Sequence, residues 1–369
     1  MALIETYKEE EGSDMIFELT LTDTSALTFP KEESYFDLLG LNNTGNSCYF
    51  NAVLQGILAC FPLTFYVLNH MGSIDGFMFE LRQLMTKKTD SSIKKTDTRN
   101  IKKFFNEEVN TFNNFEQHDS HECLIYMLSI IHEYFKKEAN DEKRPVGMEP
   151  TDGDHLLSAS PTMVLEHVAS IEWLRSVKDD GSVVIDLFTG QLRQMITCER
   201  CLKVTNKFEI FNHLSVPIEG SNLFDCINKF CENEKLSGED RRFCDKCKEK
   251  TEYTKNITLW KLPNILIFHL NRYNLFCGRG YEKRQIIFPI DNLTLRDQST
   301  GSLKMYQLVC TVNHVGQDPV SGHYISYIRK GFENNWYCID DDSITAIKFE
   351  DIINSNSYLL FYVCMNTSI

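Results

Sequence analysis

The chain has 369 residues, of which 42% are hydrophobic and 24% are charged, and its formal net charge is −14. This length is sufficient for two or three domain-sized units or for one large elaborated fold. The acidic balance argues against nucleic acid as the main partner and favours a protein partner that is basic or neutral.

The N-terminal sequence and the cysteine content favour a reducing compartment. Residues 1–14 lack the basic region and apolar core of a signal peptide. The longest apolar run, 53–68, is interrupted by Gln55 and Pro62, so we expect no membrane span. Thirteen cysteines are an odd number for a long chain without a signal peptide, and no disulfide framework is expected. We therefore predict a cytoplasmic or nuclear location, or both.

Residues 1–36 are predicted to form a loosely ordered acidic leader, in which 16–21 is a candidate strand. The first informative stretch after it is 40–55. Asn, Gly, Thr and Ser crowd positions 42–47, which is typical of a tight turn, and apolar residues then recur at helical spacing.

Cys48 is predicted to lie in the first turn of this helix, because Asn46 or Ser47 is placed to cap it. There the helix dipole and free backbone N–H groups favour a thiolate and can receive an oxyanion. Asn43 is near enough in sequence to supply a second donor. The alternative is a buried cysteine that opens a core helix, and this stretch alone does not separate the two.

Two further helices are predicted before residue 137. Residues 77–85 form the first, followed by a loop at 87–95, and Asp119 with Glu122 marks the start of the second. Capping and an apolar core face explain why this second helix forms. They do not explain why several polar side chains lie at its start, and these side chains favour the interpretation that the helix start forms one wall of a cleft. These side chains are Gln117, His118 and His121. The charged segment 137–161 predicts an exposed insertion.

From about residue 183 the segments are short, β-branched or aromatic, so a largely β half is predicted to follow a largely helical one. Two Cys-x-x-Cys pairs lie in this half, at Cys198, Cys201, Cys244 and Cys247. Four thiolates form the closed tetrahedral site of structural zinc, which would hold the fold together rather than react. The flanking segments 191–197, 204–210 and 252–260 predict a zinc-tipped β-ribbon, with a short helix at 225–230. Two unrelated thiol pairs are the alternative, and Cys226 and Cys231 are spare ligands with less suitable spacing.

The last part of the chain supplies a candidate base. Residues 262–273 are predicted to form a central apolar strand, in which His269 is a core histidine. The strand 306–314 leads through a Gly/Pro loop at 315–322, a candidate mobile lid, into a strand that begins at His323. A hairpin brings Asp340 beside His323, and a histidine base needs such a third group to fix its tautomer and orientation. The alternatives to a catalytic role are that His323 only packs in the core and that Asp340 lies in a solvent-exposed acidic turn. Both alternatives become weaker when these residues are considered together with the Cys48 turn.

These motifs resemble the ubiquitin-specific protease family, a group of papain-like cysteine deubiquitinases. Residues 40–55 resemble its cysteine box and 117–124 its Gln-Gln-Asp-x-x-Glu box. Residues 262–273, 306–329 and 336–344 resemble its leucine-rich and histidine boxes, and the paired cysteine knuckles are similar to its zinc-bearing fingers. The resemblance runs in the family's order from about Leu39 to about Tyr362.

The resemblance implies an α+β fold of the papain-like type. In this arrangement the leader occupies 1–36 and a helical thumb occupies 37–182, with the exposed insertion at about 137–161. Zinc-bearing β-ribbon fingers occupy 183–260, and an antiparallel β palm at 261–369 carries the catalytic His and Asp.

The resemblance also implies roles for individual residues. Cys48 matches the nucleophile, His323 the base and Asp340 the orienting acid; Asn43 matches the oxyanion donor, and Asp341 matches a position that assists in some relatives. The positions that line the channel for ubiquitin's C-terminal tail are matched by Gln117, Asp119, Tyr273 and Tyr324. Residues 315–322 align with a blocking loop that must move aside. Four residues depart from the usual pattern without removing a chemical role, namely Ser47, His118, Asn271 and Ile339.

The expected function is that of a thiol-dependent deubiquitinase that cleaves after the C-terminal glycine of ubiquitin through a thioester. It would carry structural Zn²⁺ and act on ubiquitin and ubiquitinated proteins, without nucleic acid or membrane as a partner. The alternatives are an isopeptidase for another ubiquitin-like modifier and a catalytically weak ubiquitin-binding scaffold. A metalloprotease is excluded, because the sequence has no His-Glu-x-x-His pair and a four-cysteine site leaves no open position.

Overall fold

The computed structural model describes residues 37–70, 72, 74–113, 116–141, 161–177, 181–273, 281–318, 321–331 and 334–365. The predicted leader at 1–36, with its candidate strand, and residues 142–160 of the predicted insertion lie outside these ranges. The boundaries proposed above for thumb, fingers and palm stay predictions.

Helices form most of the described chain before residue 189. They are α1 (Cys48–Ala59), α2 (Phe61–Asn69), α3 (Gly76–Lys88), α4 (Arg99–Glu108), α5 (Ser120–Asp141), α6 (Pro161–Val177) and α7 (Val183–Phe188). All twelve residues of α1 are buried. The predicted loop at 87–95 is confirmed only in part, because α3 continues to Lys88 and Lys95 begins a short strand.

Strands predominate after residue 189, as the sequence predicts. The strands are β1 (Gly40–Leu41), β2 (Lys95–Thr96), β3 (Gly190–Cys198), β4 (Val204–Phe211), β5 (Leu214–Pro217), β6 (Glu234–Leu236), β7 (Arg242–Cys244), β8 (Glu249–Thr251), β9 (Tyr253–Lys261), β10 (Ile265–Asn271), β11 (Leu293–Arg296), β12 (Leu303–Asp318), β13 (Ser321–Lys330), β14 (Asn335–Asp340), β15 (Ser343–Ile347) and β16 (Ser357–Cys364). One further helix, α8 (Leu223–Cys231), lies among them where a short helix was predicted.

The largest sheet has eight strands in the order β15-β14-β13-β12-β16-β10-β5, and β11 pairs with the start of β12. Its pairings are antiparallel except that β10 and β5 run parallel. The prediction of an interior strand at 262–273 is confirmed, since β10 lies between β16 and β5.

Both faces of this sheet are buried, and strand β10 shows why. Ile265 and Ile267 point into a core shared with helices α1, α2, α3 and α5, whereas Leu266, Phe268 and Leu270 point into a second core shared with α8. Side chains of a strand alternate between faces, so a continuous apolar run is needed to fill both cores. Helix α1 packs directly against β12 and β13, which brings the start of that helix to the strands that carry His323.

The predicted β-ribbon is confirmed by a four-stranded sheet in the order β4-β3-β9-β6 and by the β7-β8 hairpin. Its two Cys-x-x-Cys turns lie where β3 ends and where β7 and β8 meet. The strands bring the two knuckles together although 42 residues separate them in the chain.

The predicted loop at 315–322 is instead mostly strand. β12 continues to Asp318 and β13 begins at Ser321, with Val315 paired to His323 and Gly316 to Gly322. The backbone groups assigned to a lid are thus part of the ladder, and residues 319–320 lie outside the described ranges.

Among the described helices, none alone has the length and apolarity needed to cross a membrane. Helices α1 and α2 meet that test only as a pair bent by 79°.

Candidate active site

A tight turn places Cys48 at the start of α1. Gly45 and Asn46 adopt left-handed backbone conformations with φ of 99° and 45°, which glycine and asparagine tolerate best. Cys48 is the first residue of the helix and is 4% exposed. Of the two predicted caps, Ser47 is the residue at the N-cap position, but its side chain makes no capping bond, because its hydroxyl accepts the Thr44 N–H at 2.8 Å within the turn. The first turn of α1 therefore keeps free N–H groups beside the thiol.

His323 lies between Cys48 and Asp340. Strands β13 and β14 pair Ser326 with Ile339, and this register brings His323 Nε2 to 2.6 Å from Asp340 Oδ1. The pKa of His323 is raised to about 9, first by a side-chain hydrogen bond with Cys48 and then by Asp340, while partial burial opposes the rise. Since Nε2 is taken by Asp340, Nδ1 is left for the sulfur. The structure thus brings together the three residues that the sequence singled out as nucleophile, base and orienting acid.

The neighbouring aspartate faces the other way. Asp341 accepts hydrogen bonds from Asn43 Nδ2 and Asn51 Nδ2, each at 2.8 Å, and its carbonyl accepts the Leu41 N–H at 2.9 Å. Its φ of 51° lies in the left-handed region, and this backbone turn directs successive side chains to opposite sides. Asp340 therefore contacts the histidine, and Asp341 holds the turn that precedes Cys48.

Asn51 is a positioning residue that the sequence analysis missed. It is buried in α1 and its amide donates to Leu41 O and Asn42 O as well as to Asp341. The available signal was a polar residue in the apolar run of α1. A buried amide is costly unless it is hydrogen-bonded, so such a residue indicates an essential partner.

The four residues predicted to line the ubiquitin-tail channel lie at two places in the fold, with Gln117 and Asp119 just before α5 and Tyr273 and Tyr324 after β10 and in β13. Gln117 Oε1 accepts the Gly322 N–H at 2.9 Å, which joins the entrance of α5 to the strand of His323. Asp119 caps α5 by accepting the His121 and Glu122 N–H groups through Oδ1, and its Oδ2 accepts from Tyr358. The helix start predicted at Asp119 is confirmed.

The two tyrosines of this set belong to an aromatic cluster with His314 and Tyr358. Tyr273 hydroxyl lies 3.3 Å from His314 Nδ1, and the rings of His314 and Tyr324 are 4.7 Å apart. Tyr324 is only 5% exposed, so it supports the wall of the cleft more than its surface. Gly322 is required here, because a Cβ atom would lie 2.4 Å from His314 Nε2.

His118, which replaces a usual glutamine, packs against the rings of Tyr49 and Phe112 at 5.3 and 4.7 Å. This aromatic setting suits an imidazole ring and explains how the departure is accommodated.

The four cysteines of the two knuckles converge at the tip of the β-ribbon. All four sulfurs lie within 4.8 Å of one another, with 3.9 Å between Cys198 and Cys247 and 3.7 Å between Cys201 and Cys244. Tetrahedral zinc with Zn–S bonds of about 2.3 Å places sulfurs about 3.8 Å apart, so the donor set fits the metal. The spare ligands Cys226 and Cys231 are instead buried in the core around α8. Every cysteine in the described residues is free of disulfides.

Comparison with known proteins gives matches over nearly the whole chain. The family model described as ubiquitin carboxyl-terminal hydrolase matches residues 39–362. The chain is 29% identical over 357 residues to ubiquitin carboxyl-terminal hydrolase 21 of Homo sapiens, with coverage of 89% of this chain and 61% of the relative. It is 31% identical over 335 residues to ubiquitin carboxyl-terminal hydrolase 4 of Arabidopsis thaliana, with coverage of 87% of each.

Solved structures share the fold. A chain of the SAGA DUB module Ubp8/Sgf11/Sus1/Sgf73 bound to monoubiquitin matches with a TM-score of 0.71 and 18% identity, covering 93% of this chain and 73% of that one. The same module bound to ubiquitin aldehyde matches with a TM-score of 0.66 and 20% identity, covering 94% and 73%. The predicted α+β architecture with a cysteine-bearing β-ribbon is confirmed.

Proposed function

Because the chain belongs to the ubiquitin carboxyl-terminal hydrolase family, we propose that it is a thiol-dependent deubiquitinase. It hydrolyses the isopeptide or peptide bond after the C-terminal glycine of ubiquitin. The observation that carries this proposal is the Cys48–His323–Asp340 arrangement, in which the histidine bonds both the thiol and the carboxylate.

The first half of the reaction forms a thioester. The Cys48 thiolate attacks the carbonyl carbon of ubiquitin's terminal glycine, and the oxyanion is received by backbone N–H groups at the start of α1 and by Asn43. His323, protonated because of its raised pKa, gives its proton to the leaving lysine amine as the C–N bond breaks.

The second half releases ubiquitin. Neutral His323 takes a proton from water, the hydroxide oxygen attacks the thioester carbonyl, and the C–S bond breaks to restore the Cys48 thiolate. His323 is again an imidazolium, and ubiquitin leaves as a carboxylic acid that releases its proton to the solvent to give the carboxylate. Asp340 keeps the imidazole in one orientation through both halves, since its carboxylate accepts the Nε2–H.

Ubiquitin's extended tail is placed between the entrance of α5 and strand β13. Gln117 and Gly322 already span this cleft through one hydrogen bond, so the entering tail would exchange this contact for its own backbone contacts. Asp119, Tyr273 and Tyr324 support the walls through Tyr358 and His314.

Structural Zn²⁺ held by Cys198, Cys201, Cys244 and Cys247 would tie the two knuckles of the β-ribbon together. Ubiquitin and ubiquitinated proteins are the proposed partners, and the cytoplasm or nucleus is the proposed location.

The decisive experiment is reaction with a ubiquitin whose C-terminus carries an electrophile. We expect one covalent adduct per chain, mapped to Cys48, and none with Cys48→Ala. Electrophilic probes made from other ubiquitin-like modifiers test the alternative substrate class. A scaffold without catalysis is supported instead if ubiquitin binds but neither an adduct nor turnover of a fluorogenic ubiquitin conjugate is seen.

A further inference from the structure

A cationic cleft borders the turn that carries Cys48. It is open, has a volume of about 410 Å³, and its lining includes Thr44, Arg99, Lys102, Lys103 and Glu107. The lining has three cations against one carboxylate, and of the cations Arg99 is already paired with Asp97 outside the lining. The lining is therefore positive through Lys102 and Lys103, whereas the whole chain carries a net charge of −14. The residues proposed for ubiquitin's tail are not part of the lining, so the cleft is distinct from the tail channel.

Lys102 is the cation of this cleft that interacts electrostatically with Cys48. Its Nζ donates to the Tyr49 hydroxyl at 2.9 Å and lies 4.9 Å from the centre of that ring, next to Cys48 in the chain. Lys102 is half-buried, and no carboxylate of the described chain forms an ion pair with it. Burial lowers the pKa of Lys102, and the sulfurs of Cys123 and Cys48 oppose this, as expected for a cation within electrostatic range of the nucleophile.

A second, independent feature of the cleft is an unpaired hydroxyl. Thr44 Oγ1 is inaccessible to solvent and has no hydrogen-bond partner among the described residues. Buried hydroxyls normally have a partner. Because this hydroxyl is closed to solvent, the donors open to a ligand in the cleft are the ammonium groups of Lys102 and Lys103, which suit a carboxylate.

We propose that this cleft binds an acidic side chain of the protein that carries ubiquitin, close to the modified lysine. The inference rests on the proposed function, because only the two partners of the scissile bond approach Cys48 and ubiquitin's tail is assigned to the other channel. An acceptor with Asp or Glu near its modified lysine is therefore the favoured substrate class. The overall negative charge of the chain disfavours nucleic acid as the occupant.

The test uses ubiquitin joined through an isopeptide bond to the lysine of short peptides that differ only by Glu or Gln beside that lysine. For the wild-type protein we expect kcat/KM for the Glu peptides to exceed that for the Gln peptides by about fivefold, as for a partly screened ion pair. The ratio should fall towards one in high salt.

Lys103→Glu is the informative variant, and Lys348→Glu is its matched control. Lys103 is 70% exposed and 3.7 Å from Glu107, and Lys348 is 78% exposed and 3.4 Å from Glu350, outside the cleft. We expect Lys103→Glu to bring the Glu/Gln ratio to one or below, and Lys348→Glu to keep the wild-type ratio. A general loss of folding or catalysis lowers kcat/KM for the Glu and Gln peptides equally. The Glu/Gln ratio is therefore unaffected by such a loss, because each variant serves as its own reference.

The proposal is overturned if the wild-type ratio is one, or if both variants give the same ratio. If no conjugate is cleaved, the proposed hydrolase function is wrong. The cleft proposal is then tested by binding alone, because the affinities of the protein for the Glu and Gln conjugates show whether the cleft selects acidic acceptors.

Discussion

Two adjacent aspartates perform different tasks because the backbone turns between them. Asp340 accepts from His323, whereas Asp341 accepts from Asn43 and Asn51. In the proposed mechanism the first contact orients the base. The second fixes the turn before Cys48, so we expect it to act on the oxyanion donors rather than on the proton transfer.

Replacing Asp341 by Ala should remove the carboxylate that accepts from Asn43 and one of the three acceptors of the Asn51 amide, and so allow the Cys48 turn to shift. We expect kcat to fall by about 10- to 100-fold with a smaller change in KM, because the loss affects the transition state more than binding. Turnover of a fluorogenic ubiquitin conjugate measures this. Asp342→Ala is the control, since Asp342 is exposed and forms a surface ion pair with Lys95, and it should stay within about twofold of wild type. Equal losses in the two variants would contradict the assignment.

The pKa of His323, about 9, predicts the alkaline limit of activity. In the proposed mechanism the imidazolium donates the proton to the leaving amine, so kcat/KM should fall as pH rises through about 9. Asp340→Asn removes a charge that raises this pKa, and the fall should then occur about one pH unit lower. The measurement is the pH profile of isopeptide cleavage from pH 6 to 10. The control Asp240→Asn removes one negative charge at a remote exposed position, and its pH profile should match that of wild type. An equal shift of the profile in both variants would contradict the assignment of this limit to His323.

At the residue scale, the chemistry-bearing side chains were predictable and their supports were not. Cys48, His323 and Asp340 stand in motifs whose local pattern already indicates turn, strand and hairpin. Asn51 belongs to a helix whose sequence indicates an apolar core helix. Two of its hydrogen-bond partners lie 10 and 290 residues away in the chain. No local pattern states which distant carbonyl or carboxylate a buried amide will meet.

At the scale of elements, the predicted strand is confirmed where both faces of the sheet are buried. The prediction is wrong where glycine and proline suggest a loop and the structure has strands instead. β10 has an apolar residue for each core, so its sequence indicates a strand without reference to neighbours. Residues 315–322 contain Gly316, Pro319 and Gly322, yet Val315 and Gly316 pair across to His323 and Gly322. The ladder extends there because cross-strand pairing overrides local turn preference.

The cysteine-bearing β-ribbon should depend on one metal ion. We expect about one zinc per chain in the wild-type protein, and almost none in the double variant Cys201→Ser/Cys247→Ser, because two sulfurs of a tetrahedral site are removed. Metal analysis after gel filtration measures the content. Cys231→Ala is the control, since Cys231 is buried beside α8 outside the cluster, and it should retain its zinc. Zinc retained by the double variant, or lost from the control, would reassign the ligands.

At the scale of the whole molecule, the junction between the helices and the two sheets is filled by three histidines. His121 of α5 stacks on His269 of β10 with ring centres 3.8 Å apart, and His213, between β4 and β5, lies 4.7 Å from His121. His269 Nδ1 bonds Ser215. The sequence predicted a packed core histidine at 269, but it placed His121 at the cleft wall, because the folding of β5 against β10 is not visible locally.

These histidines should make stability fall in acid. Burial lowers the pKa of His121 and of His213 to about 4, and that of His269 well below its ordinary value. As pH falls, these histidines are protonated in the unfolded chain before they are protonated in the folded one. Their contribution to the free energy of unfolding is therefore complete above pH 6.5 and is lost as pH falls towards 4. The loss at pH 5 is about 2 kcal/mol per histidine. His121→Phe keeps a stacked ring but removes one titrating group. We expect its free energy of unfolding in urea to fall less than that of wild type between pH 7.5 and pH 5, by about 2 kcal/mol. At pH 7.5 all three rings are neutral, so any difference there reports packing alone, and identical acid losses in the two proteins would show that the cluster does not control the pH response.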